Sequence, residues 1–150
     1  HNSGEWHSAG GLKFGSVELA EARFPLHFDK HEFRRDSAGD GQFRGGAGVD
    51  LELTVETEKP ALANTAGDGI KYGSRGMVGG EDSKPHAYSL LKLDGTERKL
   101  KTKEISVDVD PGDKFIIRSA GGGGWGNPAN RSSEARALDY KNEITSMNKA

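Results

Sequence analysis

Residues 34 to 48 read Arg-Arg-Asp-Ser-Ala-Gly-Asp-Gly-Gln-Phe-Arg-Gly-Gly-Ala-Gly, and five glycines in fifteen residues rule out a helix or a regular strand. Glycine loses more backbone entropy on folding than any other residue and packs no side chain, so a chain keeps such a run where backbone must take positive φ or approach other backbone. Arg34, Arg35 and Arg44 border the run with fork-shaped donors, and Asp36 and Asp40 can accept from them. Gly73 to Gly80 and Gly121 to Gly126 are built the same way. The sequence therefore predicts short strands tied together by three ordered glycine loops.

Glycine is 22 of 150 residues, about twice the ~7% of average proteins, while only 33% of residues are hydrophobic. The length fits one domain. Large apolar side chains are scarce, so the core should be thin, and a partner surface is expected to complete it. A net charge of −2 excludes the basic footprint of a general nucleic-acid binder. No apolar run approaches the ~18 residues of a membrane span. With no cysteine there is no disulfide, thiolate metal site or Cys nucleophile, and a cytoplasmic location is expected. The chain opens on His1 rather than Met and shows no signal-peptide pattern, which points to processing, trimming or excision from something longer.

Residues 1–16 form an N-terminal arm around Trp6. It reads as a mobile terminus or, through Trp6, as an anchor onto a neighbouring subunit, since Trp is enriched at interface hot spots. A single helical turn fits Glu18 to Ala22. Phe24 to Arg34 reads as a strand with Phe24, Leu26 and Phe28 on one face and His27, Asp29 and His31 on the other. Phe33 falls in the second phase, so a bulge is expected near Lys30. Val49, Leu51, Leu53 and Val55 alternate with Asp50, Glu52, Thr54 and Glu56, the pattern of a half-buried antiparallel strand.

A short strand is expected over 61–66 and another through Tyr88, Leu90, Leu91 and Leu93, ending at Asp94-Gly95. Asp94-Gly95 predicts a type I′ hairpin turn into a return strand over 97–100. Ile105, Val107 and Val109 mark a further strand, and Asp110-Pro111-Gly112-Asp113 predicts a type II turn. Phe115 to Ile117 should be the most buried strand. Ser132 to Ala150 is the helix candidate, capped by Ser132 or Ser133, with Ala135, Leu138 and Ile144 as its apolar stripe. The fold class is all-β: mainly antiparallel sheets, sandwich or barrel-like, with long glycine loops and a short C-terminal helical tail. The expected division is an arm over 1–16, a β-rich domain over 17–131 and a tail over 132–150.

Gly121, Gly123 and Gly126 match the dinucleotide spacing G-x-G-x-x-G, but Pro128 follows where a helix must open, so the run reads as a structural loop. No phosphate-binding G-x-x-x-x-G-K-[ST] loop occurs. His27, Asp29 and His31 are candidate metal ligands. Same-face positions lie about 6.6 Å apart along a strand, so all three reach one ion only if the strand bends; a solvated or interface polar face is the competing reading. Ser37 reads as a turn hydroxyl bonding backbone. Arg34, Arg35 and Arg44 either hold a substrate carboxylate or phosphate or pin their loop to a neighbouring chain. Trp6, Arg34, Arg35, Asp36, Arg44 and Trp125 form the candidate loop and interface set, and no residue is assigned to catalysis or cofactor binding.

Taken in order, Phe24-Pro25-Leu26, Phe33 through Gly48, Gly73-x-x-Gly76-x-x-Gly79-Gly80, Asp94-Gly95-Thr96, Lys103, Asp110-Pro111-Gly112-Asp113 and Gly121 through Pro128 resemble the C-terminal region of the hydantoinase B/oxoprolinase family. Ala137 through Asn142 is similar to that family's closing segment in weaker form. Ser37-Ala38-Gly39 stands where Ser-Gly-Gly is usual. Asn64-Thr65-Ala66 and Gly67-Asp68-Gly69 look closest to the ATP-dependent ketone carboxylases of acetone and acetophenone type.

The resemblance implies a small, non-catalytic subunit of a hetero-oligomeric carboxylase that converts a ketone to a 3-oxo acid. ATP with a divalent metal would sit in an acetate/sugar-kinase-like partner, and a hydantoinase B-like partner would complete the assembly. The family's catalytic and metal-ligand motifs lie in an upstream part absent here, so none carries over. The alternatives are a subunit or fragment of an ATP-dependent hydantoinase or 5-oxoprolinase type of cyclic amidase, a free-standing anion-binding module, and a metal-dependent hydrolase using His27, Asp29 and His31.

Overall fold

The computed structural model describes residues 15–146. Trp6, the rest of the arm before Gly15, and the end of the helix expected toward Ala150 lie outside the described residues.

A helix α1 (Val17–Arg23) opens the described chain. Ser16 caps it by accepting the Leu19 N–H at 3.3 Å, and Glu18 sits in the first turn, where a carboxylate opposes the helix dipole favourably. It is longer than the single turn expected, and stops where Phe24 turns extended ahead of Pro25. Strand β1 (Leu26–Arg34) then pairs antiparallel with β2 (Gly48–Val55). Phe28 faces Leu53 and Lys30 faces Glu52, leaving Asp29 as the extra residue of a bulge where the phase of the apolar residues switches.

The remaining strands are β3 (Ala61–Ala66), β4 (Ala87–Leu91), β5 (Glu97–Leu100), β6 (Lys103–Val109) and β7 (Lys114–Arg118). A five-stranded sheet runs β1-β2-β7-β4-β5 and a two-stranded sheet pairs β3 with β6, every pairing antiparallel. The all-β, mainly antiparallel architecture is the one expected, in two sheets and not as a closed barrel. Between the sheets lie Val55, Leu90, Leu100, Val107 and Val109, with Leu26, Ala63, Tyr88 and Phe115 packed against them. Such a core is thin, as the composition demands.

Strand β4 ends at Leu91, so Leu93, expected within it, lies exposed in the turn that follows. Gly112 takes φ +87° and Asp113 N–H bonds Asp110 O at 3.0 Å, the geometry the Pro-Gly pair calls for. The Asp94-Gly95 hairpin forms, but not through a type I′ turn. Lys92 N–H pairs with Thr96 O and Gly95 N–H with Lys92 O, and only Gly95 takes positive φ (+86°), so the loop has three residues closed by a left-handed glycine. Strand β7 is central in its sheet but not the most buried strand. Ile116 alone is buried, while Phe115 and Ile117 line an open apolar groove of about 310 Å³ with Leu53 and Val109.

The tail departs most from expectation. Helix α2 (Ser133–Lys141) is capped by Ser132 as predicted and ends at Asn142, with Glu143 at φ +57°. Its expected apolar stripe does not form: Ala135 is half-buried and Ile144 lies beyond the helix end. Leu138 is exposed, and the buried residue of the helix is Asp139.

Candidate functional site

The three glycine loops form one layer packed backbone on backbone. The third loop runs between the other two. Gly39 N–H donates to Gly122 O and Gly122 N–H to Gly46 O, while Phe43 and Trp125 exchange both backbone bonds at 2.9 Å. On the other side Met77 N–H donates to Gly124 O, Gly126 N–H to Met77 O, and Gly124 N–H to Glu81 O. A Cβ added to Gly45 would lie 1.9 Å from Gly122 O, and one on Gly123 would lie 2.1 Å from Arg75 O. No side chain fits at either position, which is why the run is glycine. The G-x-G-x-x-G spacing is therefore consumed by backbone packing, and a 3₁₀ turn over Pro128–Asn130 follows it.

Side chains around this layer satisfy groups within the chain. Arg34 donates to Pro85 O at 2.8 Å and Ser119 O at 3.0 Å, and its partial burial lowers its pKa. Ser37 Oγ donates to Arg34 O and accepts the Gly48 N–H at 2.7 Å, the turn role its neighbours implied. Asp36, at φ +56°, accepts the Ser146 N–H at 2.8 Å and donates its own N–H to Ile144 O. Arg35 bonds Glu143 O and pairs with its carboxylate at 3.1 Å. Arg44 donates to Gly45 O, and its Nε lies 3.1 Å from Asp139 Oδ1 without hydrogen-bond alignment. These residues thus fasten the loop to itself and to the tail.

Sequence reasoning missed the anchor of that tail. Asp139 sits between Arg44 and Arg131, whose Nη2 donates to Oδ2 at 2.6 Å; Arg131 also reaches Gln42 O. Arg136 donates to Pro128 O at 2.6 Å, and Thr145 is buried beside the same cluster. The only signal was the density of Arg and Asp from 131 to 139, which reads equally as a solvated face.

His27, Asp29 and His31 do not converge. His27 Nδ1 pairs with Glu21 at 3.1 Å, while bulged Asp29 accepts from Thr54 Oγ1 and Lys114 Nζ. Burial alone would raise the Asp29 pKa, but those two bonds hold it below the ordinary value. No group of three or more His, Asp or Glu able to hold a metal ion occurs among the described residues. His86 lies outside this strand, its ring 4.3 Å from Tyr88 with Nε2 buried and unbonded, and burial followed by the Arg34 charge lowers its pKa. A polar cleft of about 450 Å³ opens between Lys30, Asp50, Arg35 and Glu143. Trp125, the last of the candidate set, stacks obliquely on Phe43 at 5.6 Å on the outer side of the layer.

The sequence pattern that defines the Hydantoinase B/oxoprolinase family matches residues 3–128. The chain belongs to that family. It is 31% identical over 146 residues to caprolactamase subunit beta of Pseudomonas jessenii, covering 94% of this chain and 25% of that one. The crystal structure of ATP-dependent caprolactamase from the same organism superposes with a TM-score of 0.78 at 29% identity. A 5-oxoprolinase of Dictyostelium discoideum is 31% identical over 110 residues, covering 73% of this chain and 8% of its own. The nucleotide-free structure of acetone carboxylase shares the fold, with a TM-score of 0.73 at 20% identity over 92% of this chain and 22% of its own. The chain thus spans about a quarter or less of the length of these relatives. Among the described residues no helix is long and apolar enough to cross a membrane.

Proposed function

We infer that this chain is a non-catalytic, glycine-layered module of an ATP-dependent cyclic amidase, acting in assembly and in shaping the hydantoinase B-type part. Ring opening and ATP use belong to larger parts of the assembly, with ATP and a divalent metal held by an acetate/sugar-kinase-like partner. The observation that carries this reading is the share of each chain in the caprolactamase match, nearly all of this one and a quarter of that one. The geometry supports it. Arg34, Arg35, Asp36 and Arg44 are engaged with backbone and carboxylates of this same chain, which disfavours a free-standing anion-binding module.

The ketone carboxylase reading rests on Asn64-Thr65-Ala66 and Gly67-Asp68-Gly69, and the likeness to acetone carboxylase at 20% identity is one of fold, whereas the two relatives compared above at 31% identity are a caprolactamase subunit and a 5-oxoprolinase. Turnover assays separate the two. Lactam and 5-oxoproline opening, coupled to ATP hydrolysis, is expected only when this chain and the larger parts are present together. Incorporation of labelled bicarbonate into a 3-oxo acid would favour carboxylation, and turnover by this chain alone would overturn the non-catalytic assignment.

A further inference from the structure

Phe43, Met77 and Trp125 stand on three different loops, yet the backbone bridges Phe43 to Trp125 and Met77 to Trp125 set them side by side. Residues paired across a ladder project to one side, so three large apolar side chains form a row on the glycine layer. They are 61%, 58% and 47% exposed. Val78 comes next, 67% exposed and at φ +54°, where a β-branched residue is a genuine outlier. Gly79 follows at φ +87° and Gly80 N–H closes the turn on Met77 O at 3.0 Å, a geometry whose first central position is ordinarily Asn, Asp or Gly.

A strained, solvent-facing valine adds nothing to this chain's own core, and strain of this kind is maintained where function uses it. The support beneath is close-packed backbone: a Cβ on Gly80 would lie 2.3 Å from Gly124 O. Aromatic residues and Met are enriched in interface cores, and a preformed row loses little freedom on docking. The occupant follows from length: in the caprolactamase relative this same unit is 25% of the chain, so a larger protein body accompanies it there.

We propose that the row Phe43–Trp125–Met77, with Val78 at its end, is the face on which the hydantoinase B-type body docks, whether that body lies in the same polypeptide or in another subunit. This rests on the assembly role inferred above. Two measurements on the assembled protein test it. A p-benzoylphenylalanine photo-crosslinker replacing Met77 is expected to label the hydantoinase B-type body, and one replacing exposed Glu58 to label it far less. Val78→Gly should raise the melting temperature of this chain by relieving the strain while weakening assembly about tenfold or more, a split that a purely structural Val78 would not give. Crosslinks from position 77 into a second copy of this chain, or unchanged assembly by Val78→Gly, overturn the docking face and leave the assembly role standing. Failure of the wild-type chain to assemble at all removes both.

Discussion

At the scale of single residues, the fold depends on atoms that are missing. Gly123 lies where a methyl group would meet Arg75 O at 2.1 Å, whereas nothing lies within 4 Å of a Cβ on Gly15. Gly123→Ala is therefore expected to lose about 3 kcal/mol, at the upper end of overpacking costs, and Gly15→Ala to be near neutral, as read by denaturant midpoints. Ala38, buried in the first loop, keeps its methyl without strain because the left-handed φ of that turn falls at Asp36 instead. His86 sets a pH limb. Its pKa lies below 6.5 in the folded state because burial, and then Arg34, oppose the charged ring. The unfolded chain thus binds the proton more readily, and stability is complete above about pH 6.5 and falls below it. The melting temperature should drop between pH 7.5 and 5.5, and His86→Phe should flatten that drop.

At the scale of elements, local pattern and long-range pairing divide what could be read in advance. Strand β2 was legible because Val49, Leu51, Leu53 and Val55 alternate without a break, and the Asp29 bulge because Phe33 breaks phase with Phe28. The Asp94-Gly95 hairpin was legible as a hairpin, but its turn type was not, since Asp94 keeps negative φ and only Gly95 supplies the left-handed residue. Asp113 was legible as the end of a turn but not as a buried anchor. It is buried at 1% exposure, accepts from Lys92 Nζ and from the Asp110 and Leu93 N–H groups, and so ties the type II turn to the β4–β5 hairpin. Burial raises its pKa, but those bonds outweigh it and hold it below 3.8. Its contribution is complete above that pH and lost as pH falls through the lowered value. Asp113→Ala should cost roughly 2–3 kcal/mol at neutral pH and remove part of the acid transition.

The tail obeys the same division. Asp139 is buried because Arg44, far back in the chain, comes to meet it together with Arg131, a convergence no local periodicity encodes. Asp139→Ala leaves two partly buried guanidiniums without their carboxylate, an arrangement that costs about 3 kcal/mol. Limited proteolysis should then cut the 132–146 segment much faster than in the wild type, with the sheets still folded by circular dichroism.

At the scale of the whole molecule, a thin core and an outward row of Phe43, Trp125 and Met77 are what the proposed docking to a larger body requires. The glycine runs marked three ordered loops in the sequence, but not that the third packs between the other two as one layer. Which side of that layer faces outward was not legible, because it depends on bridges between residues as far apart as Phe43 and Trp125. The candidate metal strand showed the converse: His27, Asp29 and His31 share a face in the pattern, and the bulge at Asp29 hands its carboxylate to Lys114. Native mass spectrometry of this chain mixed with the larger parts of the proposed assembly, beside a thermal melt of the chain alone, decides whether a larger body completes this one. A heteromeric species and a rise in melting temperature on assembly are expected. A chain that melts sharply as a monomer and stays at monomer mass in the presence of those larger parts would contradict that completion.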